Sequence, residues 1–199
     1  MDETLKSPPT IPLLSELRTL VSASTKYAGI GSRQAPPAVL ALIVEIAKNL
    51  AFRGLTLRSG GAPGADTAFE TGCDQGRGEK EIFLPWKAFN NHASPFDPPP
   101  EQAEWIAALC HPNWRNCNAA ARKLHARNCQ QVYGVNLDDP VHFVLFWAPE
   151  KDHSVQGGTA TAVTLARRMN IPTFNLWQPD TLKAWSTLVR IEKRKYRSC

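Results

Sequence analysis

The stretch Leu57-Arg58-Ser59-Gly60-Gly61-Ala62-Pro63-Gly64-Ala65-Asp66 places three glycines between the end of an apolar run and the start of a helical pattern. A strand ending near Arg58, a glycine turn and a following helix predict a backbone whose N–H groups can approach an anion. The spacing differs from the dinucleotide fingerprint G-x-G-x-x-G, and it lacks the Lys-Ser or Lys-Thr ending of an ATPase phosphate loop. A strand-to-helix turn that binds nothing is the alternative interpretation.

The composition is that of a single α/β domain. The chain has 199 residues, of which 43% are hydrophobic, and this is enough to form a buried core. No apolar run reaches the ~20 residues that span a bilayer, so we expect no membrane partner. The N-terminus lacks the order of a signal peptide, and the odd number of cysteines without a C-x-x-C pair fits reduced thiols. We therefore expect a cytoplasmic protein.

Histidine and cysteine spacing argues against a metal site. The candidate metal ligands are His125 and Cys129 together with Cys110, His111 or Cys117. Their spacing along the chain is irregular, unlike that of the paired ligands in zinc motifs. We predict neither a metal nor a redox cofactor.

The formal net charge of +5 owes much to the C-terminus. Residues 190–199 contain a cluster of cations: Arg190, Lys193, Arg194, Lys195 and Arg197. The cluster is explained either by a solvated helix end or by contact with the phosphates of a nucleic acid. The predicted organisation is a disordered N-terminus over 1–10, one domain over 11–190 and a basic tail over 191–199.

Strands and helices alternate along the chain. Strands are predicted over residues 26–30, 55–58, 81–84, 141–147 and 172–176. Helices are predicted over residues 12–21, 36–53, 63–75, 101–109, 115–129, 159–169 and 179–191. Repeated strand-helix units imply right-handed crossovers and a parallel sheet. The proline-rich stretch after Trp86 breaks this rhythm and predicts a helical insertion at about 86–130.

Polar loops with glycine follow three of the predicted strands. The carboxyl ends of parallel strands share one edge of a sheet, where ligands bind. We therefore predict ligand contacts from the loop residues, which are Gly31, Ser32, Arg33, Ser59, Gly60, Gly61, Ala62, Gly64, Ala65, Asp66, Gly157, Gly158 and Thr159. Trp147, at the end of the longest apolar strand, either stacks on a base or belongs to the core. Arg58 is a further candidate to bind the phosphate, after Arg33.

Motifs in these loops resemble a known superfamily. Tyr27-Ala28-Gly29-Ile30-Gly31-Ser32-Arg33, the 59–66 stretch and Gly157-Gly158-Thr159 with Ile171-Pro172 are similar to the Rossmann-like superfamily (SLOG) that unites DNA-processing protein DprA (Smf) with the LONELY GUY (LOG) phosphoribohydrolases. The likeness spans residues 26–178, and small proteins of this type are often encoded by bacteriophages. It implies a Rossmann-like three-layer α/β fold with a mainly parallel sheet, a nucleotide ligand, a homo-oligomer and, for a phage protein, the host cytoplasm.

Two segments resemble LOG enzymes in particular. Leu124-His125-Ala126-Arg127-Asn128 is similar to their Met-His-x-Arg-Lys segment, and Gly157-Gly158-Thr159-Ala160-Thr161 to their Gly-Gly-x-Gly-Thr segment. The likeness places Arg127 where the family has a catalytic or substrate-holding arginine, with Asn128 beside it as a ligand contact. The glutamates that follow the second segment in LOG enzymes are absent here, which argues against LOG-type hydrolysis.

Cleavage of an N-glycosidic bond calls for a carboxylate near the sugar. Asp66 and Glu70 are four residues apart, on one face of a predicted helix, and we predict that they act with Arg127 in catalysis. The alternative is that Asp66 stabilises the helix N-terminus and that Glu70 is a solvated surface charge.

Three functions are compatible with these patterns. The first is binding of a nucleotide or nucleotide-derived small molecule with hydrolysis or transfer at its N-glycosidic bond. The second is a non-catalytic protein that senses or sequesters a nucleotide signal, as in phage counter-defence. The third is DprA-like binding of single-stranded DNA during DNA processing.

Overall fold

The computed structural model describes residues 14–152 and 154–197, with side chains described as far as Ile191. The predicted disordered segment 1–10 and most side chains of the predicted basic tail lie outside this description. Within the described residues, no helix is both long enough and apolar enough to cross a membrane.

Seven helices and seven strands make up the described chain. The helices are α1 Leu14–Ala23, α2 Pro37–Phe52, α3 Ala65–Gln75, α4 Glu101–Cys110, α5 Ala119–Tyr133, α6 Ala160–Arg168 and α7 Pro179–Arg197. The strands are β1 Lys26–Gly31, β2 Thr56–Ser59, β3 Lys80–Ile82, β4 Phe143–Trp147, β5 Glu150–Lys151, β6 Ser154–Val155 and β7 Thr173–Asn175. Short 3₁₀ turns at Phe89–Asn91 and Trp114–Asn116 flank α4.

Five strands form one sheet in the order β3-β2-β1-β4-β7. Every pairing in this sheet is parallel. The predicted parallel sheet is thus confirmed, with shifts of one or two residues at the strand ends. The antiparallel β5-β6 hairpin lies in a segment expected to be a loop. Each of its strands has two residues, too few to produce a hydrophobic pattern.

The sheet lies between two helical layers. Side chains of β4 alternate between them: Phe143 and Leu145 pack toward α1, α2, α3 and α7, whereas Val144 and Phe146 pack toward α4, α5 and α6. Because both faces of β4 are buried, its sequence is continuously apolar rather than alternating. The architecture is the Rossmann-like three-layer α/β fold.

Strand order reverses direction between β1 and β4. From β1 the chain proceeds outward to β2 and β3, and it then returns to place β4 on the other side of β1. In open parallel sheets such a switch point leaves a crevice beyond the carboxyl ends of the two central strands. The fold therefore positions the loops after β1, β2 and β4 side by side.

Helices α2 and α3 approach closely at Gly72, and this contact yields a test of the packing. A Cβ atom at Gly72 would lie 2.2 Å from the carbonyl oxygen of Val44. Although alanine is the better helix former by ~1 kcal/mol, we expect Gly72→Ala to lower the free energy of unfolding by about 2 kcal/mol, because overpacking forces the helices apart. Urea denaturation measures the change. Thr71→Ala, at an exposed neighbouring position, is the control; equal stability of wild type and Gly72→Ala would contradict the close approach of the two helices.

Candidate functional site

Three glycine-bearing loops lie together at the carboxyl edge of the sheet. We call residues 31–33, 59–66 and 157–159 the three-loop edge. The first two loops directly follow the paired strands β1 and β2, and the third follows β4 after the β5-β6 hairpin. The N–H of Ser32 donates to the carbonyl of Trp147 at 2.9 Å, which ties the first loop to the end of β4.

Backbone contacts join the first two loops. Gly64 has φ of 86° just before α3, a left-handed conformation that a side chain disfavours. A Cβ atom there would also lie 2.7 Å from Cα of Arg33. The N–H of Ala65 donates to the carbonyl of Ser32 at 3.4 Å. Glycine at position 64 therefore allows the start of α3 to rest against the loop after β1.

A buried ion pair links these loops to α5. Asp66, in the first turn of α3, lies 3.3 Å from the guanidinium of Arg127 on α5, and the two side chains are only 3% and 6% exposed. The remaining acceptor capacity of Asp66 goes to backbone N–H groups, from Gly31 at 3.1 Å and from Ala62 at 3.4 Å. Asp66 therefore holds the first and second loops together through hydrogen bonds, while Arg127 balances its negative charge.

Burial shifts both members of this pair toward neutrality. Desolvation raises the pKa of Asp66 although Arg127 and the two N–H donors oppose the shift. Desolvation likewise lowers the pKa of Arg127, with Asp66 opposing it. Each charge thus depends on the other, because neither has water to replace its partner.

Arg127 fills a space that only glycine leaves open. A Cβ atom at Gly60 would lie 1.4 Å from Nη1 of Arg127. The Gln131 amide, oriented to match its neighbours, accepts from Arg127 Nη1 at 2.8 Å and from the Gly60 N–H at 3.0 Å, and it donates to Asn128 at 3.2 Å. The guanidinium also lies 6.0 Å from the ring centroid of Phe89. Within the described residues, its buried Nε has no hydrogen-bond partner.

The third loop is attached to the same helix. Nδ2 of Asn128 donates to the carbonyl of Gly158 at 2.7 Å, and Asn128 adjoins Arg127 on α5. Gly157 and Gly158 are exposed, and a Cβ atom at either would meet nothing within 4 Å. The buried Thr159 follows and leads into α6. The third loop is therefore bonded to α5 on one side, and its two glycines are exposed to solvent on the other.

Glu70, a predicted catalytic residue, lies one turn beyond Asp66 and is already paired. Its Oε1 is 2.8 Å from Nζ of Lys80 and 2.8 Å from Nε2 of His92. Burial acts to raise the pKa of Glu70, but Lys80 and His92 outweigh it and hold the pKa below its usual range. Glu70 is therefore an ionised carboxylate at neutral pH, suited to stabilise positive charge and unsuited to donate a proton.

An irregular segment holds His92 against the second loop. Ala88, Asn90 and Asn91 have φ of 57°, 52° and 59°, a left-handed conformation that is uncommon outside glycine. This conformation lets Nδ2 of Asn90 donate to the carbonyl of Gly61 at 3.0 Å. Such local strain tends to occur at functional sites.

Two other residues considered from the sequence have packing roles. The ring of Trp147 is in the core with Phe143 and is 8% exposed. Its link to the three-loop edge is its backbone carbonyl, and stacking on a base stays a prediction. Arg58, considered as a phosphate ligand, is buried and bonded to Glu81 at 2.5 Å and to Asp139 at 2.6 Å. Its donors are occupied, so an anchoring role for Arg58 is wrong.

Sequence reasoning missed Gln131, Phe89, Asn90 and His92. Gln131 follows Arg127 by four residues on α5, so helical spacing was a usable signal for it. The others lie in the segment between β3 and α4, where no periodic pattern exists. Only the polar Asn90-Asn91-His92 run marks that segment.

A double-mutant cycle tests the buried pair. We expect Asp66→Asn and Arg127→Met each to lower the free energy of unfolding by about 3 kcal/mol or more, because each leaves a buried partner uncompensated. The double variant should lose at least ~1 kcal/mol less than the sum of the two. Urea denaturation provides the values, with exposed Arg77→Met as the control. Strict additivity would show that the two side chains do not interact.

Comparisons with known proteins give matches among solved structures. No family model and no curated protein matches the chain. It is similar to DNA processing protein A from Helicobacter pylori, whose structure was described for its single-stranded DNA binding mode, at 16% identity, a TM-score of 0.45, and coverage of 79% of this chain and 67% of that one. It is also similar to DprA from Streptococcus pneumoniae, at 13% identity, a TM-score of 0.47, and coverage of 85% of this chain and 57% of that one.

Proposed function

We propose that the three-loop edge binds the phosphate of a nucleotide. The observation that carries this proposal is the joining of three glycine loops by Asp66, Arg127 and Asn128, which leaves the outer surface of the edge free of unpaired carboxylate. Asp66 is the acidic residue of these loops, and Arg127 and two backbone N–H groups satisfy it. An anion at this edge therefore meets no repulsive charge from the loops.

Donors for the phosphate come from two sides. Within the described residues, the backbone N–H groups of Gly158 and Thr159 have no hydrogen-bond partner, and they open α6, where the helix dipole favours negative charge. Arg33, exposed on the first loop, forms no ion pair with the described residues. Its guanidinium is suited to a phosphate because it can donate two parallel hydrogen bonds.

The surroundings suit a nucleotide better than a free phosphate. Trp86 and Phe89 lie in edge-to-face contact, with ring centroids 5.1 Å apart. Phe89 lies beside Arg127, and Trp86 is 37% exposed. An accessible aromatic ring that contacts Phe89, beside Arg127, offers a surface on which a base can stack.

Gly158→Ala is the sharpest test of this proposal. Because the added methyl group meets nothing within 4 Å, we expect the melting temperature to stay unchanged. A nucleotide phosphate that approaches the loop backbone would be displaced, and we expect its affinity to fall about tenfold, or ~1.4 kcal/mol. Isothermal titration calorimetry with a panel of nucleoside monophosphates measures the affinity. Undiminished binding by this variant would contradict the assignment.

Arg33→Ala tests the second donor. We expect about a tenfold loss of nucleotide affinity, since hydrogen bonds to charged groups contribute ~1.5–3 kcal/mol. Arg77→Ala is the matched control, because Arg77 is also exposed but follows the opposite end of α3. Equal affinities for the two variants would exclude Arg33 from the site.

Hydrolysis of the N-glycosidic bond is a second candidate function, favoured by the Glu70–His92 contact at 2.8 Å beside the second loop. An ionised Glu70 could stabilise the positive charge that develops on ribose in the transition state. The nucleotide panel is incubated with the protein, and free base is measured by chromatography. We expect Glu70→Gln to abolish release while nucleotide binding persists, and exposed Glu79→Gln to retain it. Intact nucleotides with wild type would leave binding as the function.

Single-stranded DNA is the alternative ligand for the same donors. A DNA complex would lose affinity steeply with rising salt, because several phosphates release counterions together. Competition between an oligonucleotide and a mononucleotide distinguishes the two ligands. Tight oligonucleotide binding that a mononucleotide cannot displace would favour DNA.

A further inference from the structure

Three potential metal ligands converge near the start of α5. His111 follows the end of α4, Cys117 follows the turn at Trp114–Asn116, and His125 lies on α5. One ligand atom from each residue lies within 4.8 Å of those of the others. Sγ of Cys117 is 3.7 Å from Nδ1 of His111, and the rings of His111 and His125 have centroids 4.3 Å apart.

The spacing suits a tetrahedral ion. Zinc binds sulfur at about 2.3 Å and histidine nitrogen at about 2.0 Å, so two such ligands lie about 3.5 Å apart in a tetrahedral site. The observed 3.7 Å between Cys117 and His111 is close to that separation. Small side-chain rotations therefore suffice to close the set around one ion.

A neighbouring hydrogen bond orients one of the two histidines as a ligand. Thr161, buried on α6, is bonded through Oγ1 to Nδ1 of His125 at 2.8 Å, which leaves Nε2 of that ring for a metal. Nδ1 of His111 accepts a hydrogen bond from the Asn113 N–H at 3.2 Å, which a metal bound at this nitrogen would displace. It is also the His111 nitrogen nearer to Cys117, at 3.7 Å against 4.0 Å for Nε2. A partner such as Thr161, on the ring nitrogen that does not coordinate, orients a histidine ligand in protein metal sites.

An aromatic side chain encloses one side of the cluster. The ring of Trp114 makes edge contacts with His111 and His125, at centroid distances of 6.3 Å and 6.4 Å. His111 and Cys117 are partly exposed, so an ion can enter from solvent. The cluster is thus partly shielded and still reachable.

We propose that His111, Cys117 and His125 bind a zinc ion. One thiolate and two imidazoles are ligands of the kinds that zinc binds in proteins. Three protein ligands leave a fourth coordination position for water or a bound molecule, as in catalytic rather than structural zinc sites. His125 lies one helical turn before Asn128, whose side chain bonds Gly158 of the three-loop edge.

This proposal differs from the expectation of no metal that was drawn from sequence spacing. The gaps between the ligands are longer than those of paired zinc motifs. The fold shortens them in space, because the chain reverses between α4 and α5 and α5 packs beside both α4 and α6. Cys110 and Cys129, considered as partners in the sequence, are buried and lie outside the cluster.

Cobalt(II) titration of metal-free protein tests the proposal. We expect wild type to develop a thiolate-to-cobalt charge-transfer band together with the visible bands of a tetrahedral ion, and zinc to displace them. Cys117→Ser should abolish the charge-transfer band, and His125→Gln should weaken cobalt binding at least tenfold. His142→Gln, at an exposed histidine outside the cluster, should behave as wild type.

Circular dichroism distinguishes a variant that has lost a metal ligand from one that has failed to fold. Cys117 is partly exposed, so its serine variant should keep the wild-type circular dichroism spectrum. A charge-transfer band that survives in Cys117→Ser, or a wild type that gives no band, would overturn the zinc site. Both readouts are independent of nucleotide binding, so failure here leaves the three-loop edge untouched.

Discussion

The buried ion pair between Asp66 and Arg127 is the constraint on which the candidate site depends. It joins the start of α3 to the middle of α5, on opposite sides of the sheet, through the gap beyond the ends of β1 and β2. Replacing such a pair with apolar side chains is often neutral or stabilising, so pairs of this kind are weak evidence for stability alone. Here the pair fixes the positions of the loops, because Asp66 accepts hydrogen bonds from Gly31 and Ala62 while Arg127 fills the space beside Gly60.

The parallel sheet explains why these residues can meet. Neighbouring parallel strands joined by helical crossovers end at the same edge, so loops far apart in sequence become adjacent. Helix α5 then uses consecutive residues for separate tasks: Arg127 pairs with α3, and Asn128 holds the third loop. One turn earlier, His125 faces the start of α6 through Thr161. A single helix therefore organises both the proposed phosphate site and the proposed zinc site.

The sheet was predictable because its signals are local. Phe143–Trp147 is continuously apolar, and the glycine turns after β1 and β2 mark the strand ends directly. The partners of the site were harder to predict, because they depend on crossings between elements. No pattern near Glu70 in the sequence predicts its contact with His92. The spacing of Cys117 from His111 and His125 likewise does not predict that the three side chains lie close together. Arg58 was misjudged since its charge suggested a ligand, whereas Glu81 and Asp139 neutralise it inside the fold.

The central claim is that the three loops receive one phosphate-bearing ligand together. A two-dimensional ¹H–¹⁵N NMR titration with nucleoside monophosphates tests it most directly, because each loop contributes a glycine amide that can be followed separately. We expect the signals of Gly31, Gly61 and Gly158 to shift in parallel and to saturate with one dissociation constant. Binding that leaves these three amides unmoved and shifts signals elsewhere would contradict the account.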